Sequence, residues 1–314
     1  MLFYLLLFLK AALTESIGIQ LNFGGDSGAT AVCCSNGGAG TNSNENCCNL
    51  RSAVAYCAQQ TQPVNTFDEC TVQLMPSMAT LVSSSLGQLE LGVGLANKMS
   101  VVGPGIITSE STFPEYSRLF FFNASLPAAS LSLSNLTVAG FGNTSIDGGA
   151  IWLSGEVAVS LSLVTFEDNR GADGGSLWVS ENSLGMRLVG CVFRRSVASG
   201  SGGGIYVEQD VPGIIVQNSV FDSCMSSSGV PFTGGGALYF GTRNHGVSIM
   251  NSTFSDSIAQ RDGGALFVLQ NNFNFSVESS NFTGCSAQKY GGALYFDQSN
   301  SNVSVESSTF SNCS

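Results

Sequence analysis

A glycine pair followed by small and apolar residues returns along the second half of the chain at a nearly fixed step, and few folds accept such a pattern. The copies are Gly148-Gly149-Ala150-Ile151-Trp152, Gly174-Gly175-Ser176-Leu177-Trp178, Gly202-Gly203-Gly204-Ile205-Tyr206, Gly235-Gly236-Ala237-Leu238-Tyr239, Gly263-Gly264-Ala265-Leu266-Phe267 and Gly291-Gly292-Ala293-Leu294-Tyr295. Successive copies lie 26, 28, 33, 28 and 28 residues apart. A self-similar period of this size marks a solenoid, in which each repeat packs on its neighbours.

Each repeat carries a second mark, an aromatic at Phe166, Phe193, Phe221, Phe254, Phe282 and Phe310, with Val138 in that place one repeat earlier. Seven and five residues before each mark stands an apolar pair: Leu131/Leu133, Val159/Leu161, Met186/Leu188, Ile214/Val216, Val247/Ile249, Phe275/Val277 and Val303/Val305. Alternation at spacing two is a strand with one buried face. A second alternating run follows the glycines, with Leu238/Phe240 on one face and Ala237/Tyr239 on the other. Two or three short strands per repeat, joined by turns, make one coil of a parallel β-helix, in which equivalent side chains stack about 4.8 Å apart into interior ladders. The glycine pairs fall where the chain turns sharply and the next coil leaves no room, so Gly264→Val is expected to harm more than its size suggests. A flexible glycine-rich linker would lack these phase-locked columns.

From its start, the chain opens with an apolar run at residues 2–9, too short to span a bilayer and read as the core of a secretory signal peptide ending near residue 16. No later segment has the length of unbroken apolar sequence that a membrane span needs, so no membrane crossing is expected. Residues 17–76 hold Cys33, Cys34, Cys47, Cys48, Cys57 and Cys70, six of the ten cysteines. Behind a signal-like segment they read as a disulfide framework of unresolved pairing. No histidine is near and the vicinal pairs lack zinc-site spacing, so no metal is expected. The segment is placed to cap the open end of a solenoid whose repeats fill residues 77–314.

From about Ser77 to Gly140 the pattern is looser, with Leu89/Leu91, Val101/Val102, Ile106/Ile107 and the run Leu119–Phe122; this part resembles the first coils of the pectate-lyase-like right-handed β-helix superfamily. From Val138 onward the glycine pairs followed by Ala and Ile or Leu resemble the repeats of chlamydial polymorphic outer membrane proteins, which join a GGA(I/L/V) motif to an F-x-x-N motif. The first motif is matched well; the second is complete only at Phe166-Glu167-Asp168-Asn169, the fourth place elsewhere being Ser196, Cys224, Ser257, Cys285 or Cys313. The resemblance implies a secreted or surface-displayed β-helix of the kind used in adhesion. The expected fold class is therefore all-β: a right-handed parallel β-helix solenoid with a Cys-rich N-terminal cap. Cys285 and Cys313 share a column one coil apart, within disulfide reach, and a bridge or a pair of stacked thiols both fit.

The chemistry is sparse. A formal charge of −11 with only 11 lysines and arginines argues against nucleic acid as a partner. Asp147, Asp173 and Asp262 each precede a glycine pair, but other residue types fill that place in the remaining repeats, so they read as turn-capping groups. His245, the single histidine, has no second histidine for a metal and no nucleophile for a triad. No catalytic residue, metal ligand or cofactor site is assigned, and a polysaccharide-active lyase or hydrolase of the same fold stands as the competing reading. Eight Asn-x-Ser/Thr sequons, at Asn123, Asn135, Asn143, Asn251, Asn274, Asn281, Asn302 and Asn312, are glycosylation candidates in a eukaryotic host.

Two surface features suit binding of a carbohydrate or a cell-surface protein. The coil between Phe221 and Gly235 is five residues longer than its neighbours, and inserted turns on rigid scaffolds commonly carry recognition. The other is the column Trp152, Trp178, Tyr206, Tyr239, Phe267 and Tyr295, whose rings either point outward as a stripe for sugar stacking or pack on one another or beneath a loop. The last residues stop before a further glycine pair, the expectation for a repeat array that continues in a longer product.

Overall fold

A computed structural model describes residues 98–109 and 118–314, together with the backbone of strands Ser16–Leu21, Glu69–Leu74, Ala79–Val82 and Leu89–Leu91. The described residues form an all-β parallel solenoid of about seven coils, without a helix. The coil that begins at Gly263 shows the plan: a first strand Leu266–Gln270, a second Phe273–Glu278, a third Asn281–Thr283 and a short fourth Ser286–Ala287. The first three pair in parallel with their counterparts one coil earlier and one coil later. In earlier coils the first strand runs into the next, giving the long strands Phe120–Ala139 and Ile151–Ser162.

The registers place equivalent residues over one another. Val247 faces Phe275, which faces Val303, in one inner row. The aromatic marks Phe166, Phe193, Phe221, Phe254 and Phe282 are fully buried and stack in series at centroid separations of 4.7 to 4.9 Å. Burial of each ring contributes on the order of 1.5–3 kcal/mol. The stacking adds about 0.5–1.5 kcal/mol per pair. One continuous apolar cluster therefore runs down the axis from Met99 to Ala293.

The two glycines of a pair do different work. Gly263 has φ +65°, a left-handed corner that most side chains avoid. Gly264 has an ordinary φ, but a Cβ there would overlap the Gly292 carbonyl of the next coil and the backbone of Ser286 at the end of its own. Backbone cannot step aside as a flexible side chain can, which explains the expected severity of Gly264→Val. The other corners of a coil also turn through left-handed residues, for example Arg243 (φ 59°), Asn251 (φ 48°) and Asp256 (φ 50°).

Corners interrupt the strand ladders and would strand peptide N–H groups in the interior. Two polar ladders satisfy them. At the corner after the first strand, the Val211 N–H donates to Asn244 Oδ1 (3.0 Å), the Asn244 N–H to Asn272 Oδ1 (2.9 Å), and the Asn272 N–H to Asn300 Oδ1 (2.9 Å). At the next corner the N–H of Cys191, Ser219, Ser252 and Ser280 each donates to the serine hydroxyl one coil on, at 3.1 to 3.2 Å. Those hydroxyls donate in turn to the carbonyl two residues back.

The F-x-x-N motif has a similar basis. Buried Asn169 accepts the Phe141 N–H at Oδ1 and donates from Nδ2 to Val138 O, the mark of the preceding coil. In other coils a cysteine takes the place: the thiols of Cys224, Cys285 and Cys313 donate to the carbonyls of Phe193, Phe254 and Phe282. A thiol thus keeps the asparagine's bond to the carbonyl of the preceding mark.

Toward the N-terminus, Ser16–Leu21 pairs in parallel with Glu69–Leu74, which pairs with Lys98–Ser109. The parallel ladder reaches back into the stretch expected as a cap. The apolar leader at residues 2–9 and Cys33, Cys34, Cys47, Cys48 and Cys57 lie outside the described residues; Cys70 is described only as backbone.

Candidate functional site: the aromatic column and the inserted loop

The first strands carry the aromatic column on their outer side because Leu, Ile and Val at the alternate positions fill the core. Phe121, Trp152, Trp178, Tyr206, Tyr239, Phe267 and Tyr295 stack in order, with centroids 4.5 to 6.3 Å apart. Neighbouring planes from Phe121 to Tyr239 lie within 5° of parallel. The rings cover one another's faces, and edges meet solvent only at the other positions, because Phe267 is fully buried and Tyr239 nearly so. Of the two sequence readings, the rings pack on one another; the outward stripe offers edges, not faces on which a sugar would stack. Arg118 sits beside the first two rings, its guanidinium 5.6 Å from the Phe121 centroid and 5.9 Å from that of Trp152, and donates to Asp147 O at 2.8 Å.

Carboxylates flank the edges. Asp147 Oδ1 accepts the Asp173 N–H, and Asp173 Oδ1 accepts the Ser201 N–H, so each caps the equivalent turn one coil on. Burial raises the Asp173 carboxyl above its ordinary pKa, against the Ser201 hydrogen bond. Burial likewise raises Glu208, which accepts the Glu181 N–H. The Tyr206 phenol is pushed up by burial first, then by Tyr239, Asp173 and Glu208. Asp262 is buried and paired through Oδ2 with Arg261 at 3.0 Å.

The longer coil forms an ordered loop beside the lower part of the column. The Tyr239 hydroxyl donates to Phe232 O (3.2 Å), Arg261 donates to Gly229 O, and Thr233 Oγ1 donates to Val230 O (2.7 Å). Tyr239 is buried, whereas Val230 and Phe232 are 58% and 60% exposed. Ring pairing runs unbroken past the loop, from Phe193 to Phe221 to Phe254.

The remaining sequence candidates are placed as follows. His245 stacks on Phe273 at 4.8 Å. Cys285 and Cys313 are free thiols, as are Cys191 and Cys224. Of the two fits for the column pair, the structure therefore holds stacked thiols: the two residues sit one coil apart at the corner after the third strand, and each thiol bonds a backbone carbonyl. Burial pushes Cys224 and Cys285 up to about 12, far from a reactive thiolate. Outside the column, charges form ladders of their own: Arg195 pairs with Asp168 (2.7 Å) and Glu167 (2.6 Å), and Arg243 with Asp210 (2.6 Å). Asn135, Asn251, Asn274, Asn281, Asn302 and Asn312 are exposed, Asn143 is half-buried, and the Asn123 side chain lies outside the description. The sequence reading missed the asparagine and serine ladders, although Asn244, Asn272 and Asn300 recur at the repeat step and carried the signal. Among the described residues no helix is long and apolar enough to cross a membrane.

No protein-family model and no curated protein matches the chain. Among solved structures, the surface protein and adhesin PfbA of Streptococcus pneumoniae aligns with 83% of this chain and 94% of its own, at 10% sequence identity and a TM-score of 0.31. So loose a superposition carries no argument about role.

Proposed function

We propose that the chain is a secreted or cell-surface β-helix with a structural, adhesive or surface-interaction role and no catalysis, and that the inserted loop makes its principal contact. The observation that carries this reading is the pair Val230 and Phe232, held exposed on a loop that is pinned at Gly229 and Phe232 to a rigid coil. Two apolar side chains at a protruding tip suit a protein partner better than a sugar, because the ring faces that would bind sugar are already occupied. The test compares full-length protein with a V230S/F232S double variant for binding to cultured cells and to immobilised polysaccharides. A loss of at least about tenfold in cell binding with unchanged thermal unfolding is expected; undiminished binding would sink the loop assignment.

One observation favours the competing enzyme reading: Asp173 and Glu208, both with raised pKa, flank the Tyr206 edge. Incubation with acidic polysaccharides, including pectate, decides it. No chain shortening is expected; release of unsaturated or reducing ends that Glu208→Gln abolishes would establish the enzyme instead.

A further inference from the structure

Asparagine plays two separate roles in this molecule, and the sequons fall on one side of the division. The buried ladder residues Asn169, Asn244 and Asn272 have no hydroxyl residue two places on, so none is a sequon. The exposed sequon asparagines lie on the second and third strands and on the corners that flank the third. Asn135 and Asn251 occupy the left-handed corner before the third strand, with φ 53° and 48°. Asn274 and Asn302 are exposed on the second strand, Asn281 opens the third, and Asn312 sits on the corner after it. Between Ile151 and Phe296 no first strand carries a sequon, and the inserted loop carries none.

We infer that in a eukaryotic secretory pathway Asn135, Asn251, Asn274, Asn281, Asn302 and Asn312 accept N-linked oligosaccharide, leaving the first strands from Ile151 to Phe296 and the inserted loop as the bare face of the rod; the sequon at Asn123 lies one coil above that stretch. The inference rests on the secreted reading given above. The donor is a lipid-pyrophosphate oligosaccharide: the asparagine Nδ2 forms a bond to the anomeric carbon, the bond from that carbon to the pyrophosphate oxygen breaks, the lipid pyrophosphate leaves, and Nδ2 gives up one proton to a base of the transferase. Bulky, hydrated chains on the second and third strands exclude partners there. Approach is then left to the first and fourth strands and to the loop between them, from which Val230 and Phe232 protrude. Asn302 Nδ2 donates to Asn274 Oδ1 at 2.6 Å, so these two sites crowd each other and have the lowest joint occupancy.

The test expresses the full chain in insect or mammalian cells, once with its own first residues and once behind a heterologous secretion leader. Enzymatic glycan release in heavy-oxygen water followed by peptide mass spectrometry reads each site. Label is expected at the six asparagines. Failure of the native leader with secretion and labelling behind the heterologous one overturns the secretion reading alone. Recovery from the medium with those asparagines unlabelled overturns the glycan inference. A Pro231→Asn variant makes the sequon Asn-Phe232-Thr233 on the bare loop. Its glycan should abolish cell binding, and enzymatic removal should restore it, whereas removing the native glycans should leave binding unchanged. Equal sensitivity to native and added glycans would overturn the bare face.

Discussion

Two stacks of rings run along this rod, one inside and one outside, and they share a cause but not an energy. The inner phenylalanines repeat at 4.8, 4.8, 4.9 and 4.7 Å and are wholly buried. The outer column mixes Trp, Tyr and Phe, opens to 6.3 Å between Trp178 and Tyr206, and keeps the edges of Trp152, Trp178 and Tyr206 in water, while Tyr239 and Phe267 are buried. The coil repeat sets both spacings. Burial separates them: an inner ring deleted leaves a cavity, while an outer ring deleted leaves a notch that water fills.

The largest effect belongs to the inner stack. Phe221→Ala should lower unfolding stability by about 3–5 kcal/mol, read from urea midpoints. Trp178→Ala should cost about 1–2 kcal/mol, the stacking on two neighbours and part of the buried area. Equal losses would erase the distinction between the stacks. The smallest effect concerns the carboxylates beside the outer column. Asp173 has a folded pKa above its unfolded one, so the folded state takes up a proton more readily, and stability from this group grows as pH falls through the raised value. Asp168 and Asp210 behave oppositely, because hydrogen bonds from Arg195 and Arg243 hold their pKa down and their contribution is lost in acid. Asp173→Asn should therefore raise the urea midpoint slightly near neutral pH and lose that advantage in acid. A midpoint lowered at neutral pH would mean that the charge on Asp173 stabilises its turn.

The inner stack was legible before any coordinates because one residue type recurs at one step, and alternation at two assigns its face. The outer column was legible as a column, and as outward, by the same rule. Ring orientation was not, since period two says which side a ring leaves from and nothing about its plane. The spacing of about 4.8 Å between coils leaves just enough room for parallel aromatic planes, so the packed arrangement was the one that strand physics favours. Cys285 and Cys313 teach the same lesson: adjacency in a column was readable, whereas the choice of a carbonyl over a sulfur partner depends on side-chain direction. Asn272 went unread for another reason. Its job is to satisfy a peptide group at a corner, and turn-rich sequence full of Asn and Ser hides the one asparagine that points inward.

The five extra residues before Gly235 leave the pairing of Leu238 with Ile205 and Leu266 as regular as any other. The strand registers of neighbouring coils do not change with the length of that corner, and the loop is held through the Gly229 and Phe232 carbonyls, so side chains at 228–233 escape the apolar packing that constrains the rest of the coil. The same indifference makes the corner a graft point, where foreign peptides of similar length could be displayed on an unchanged rod.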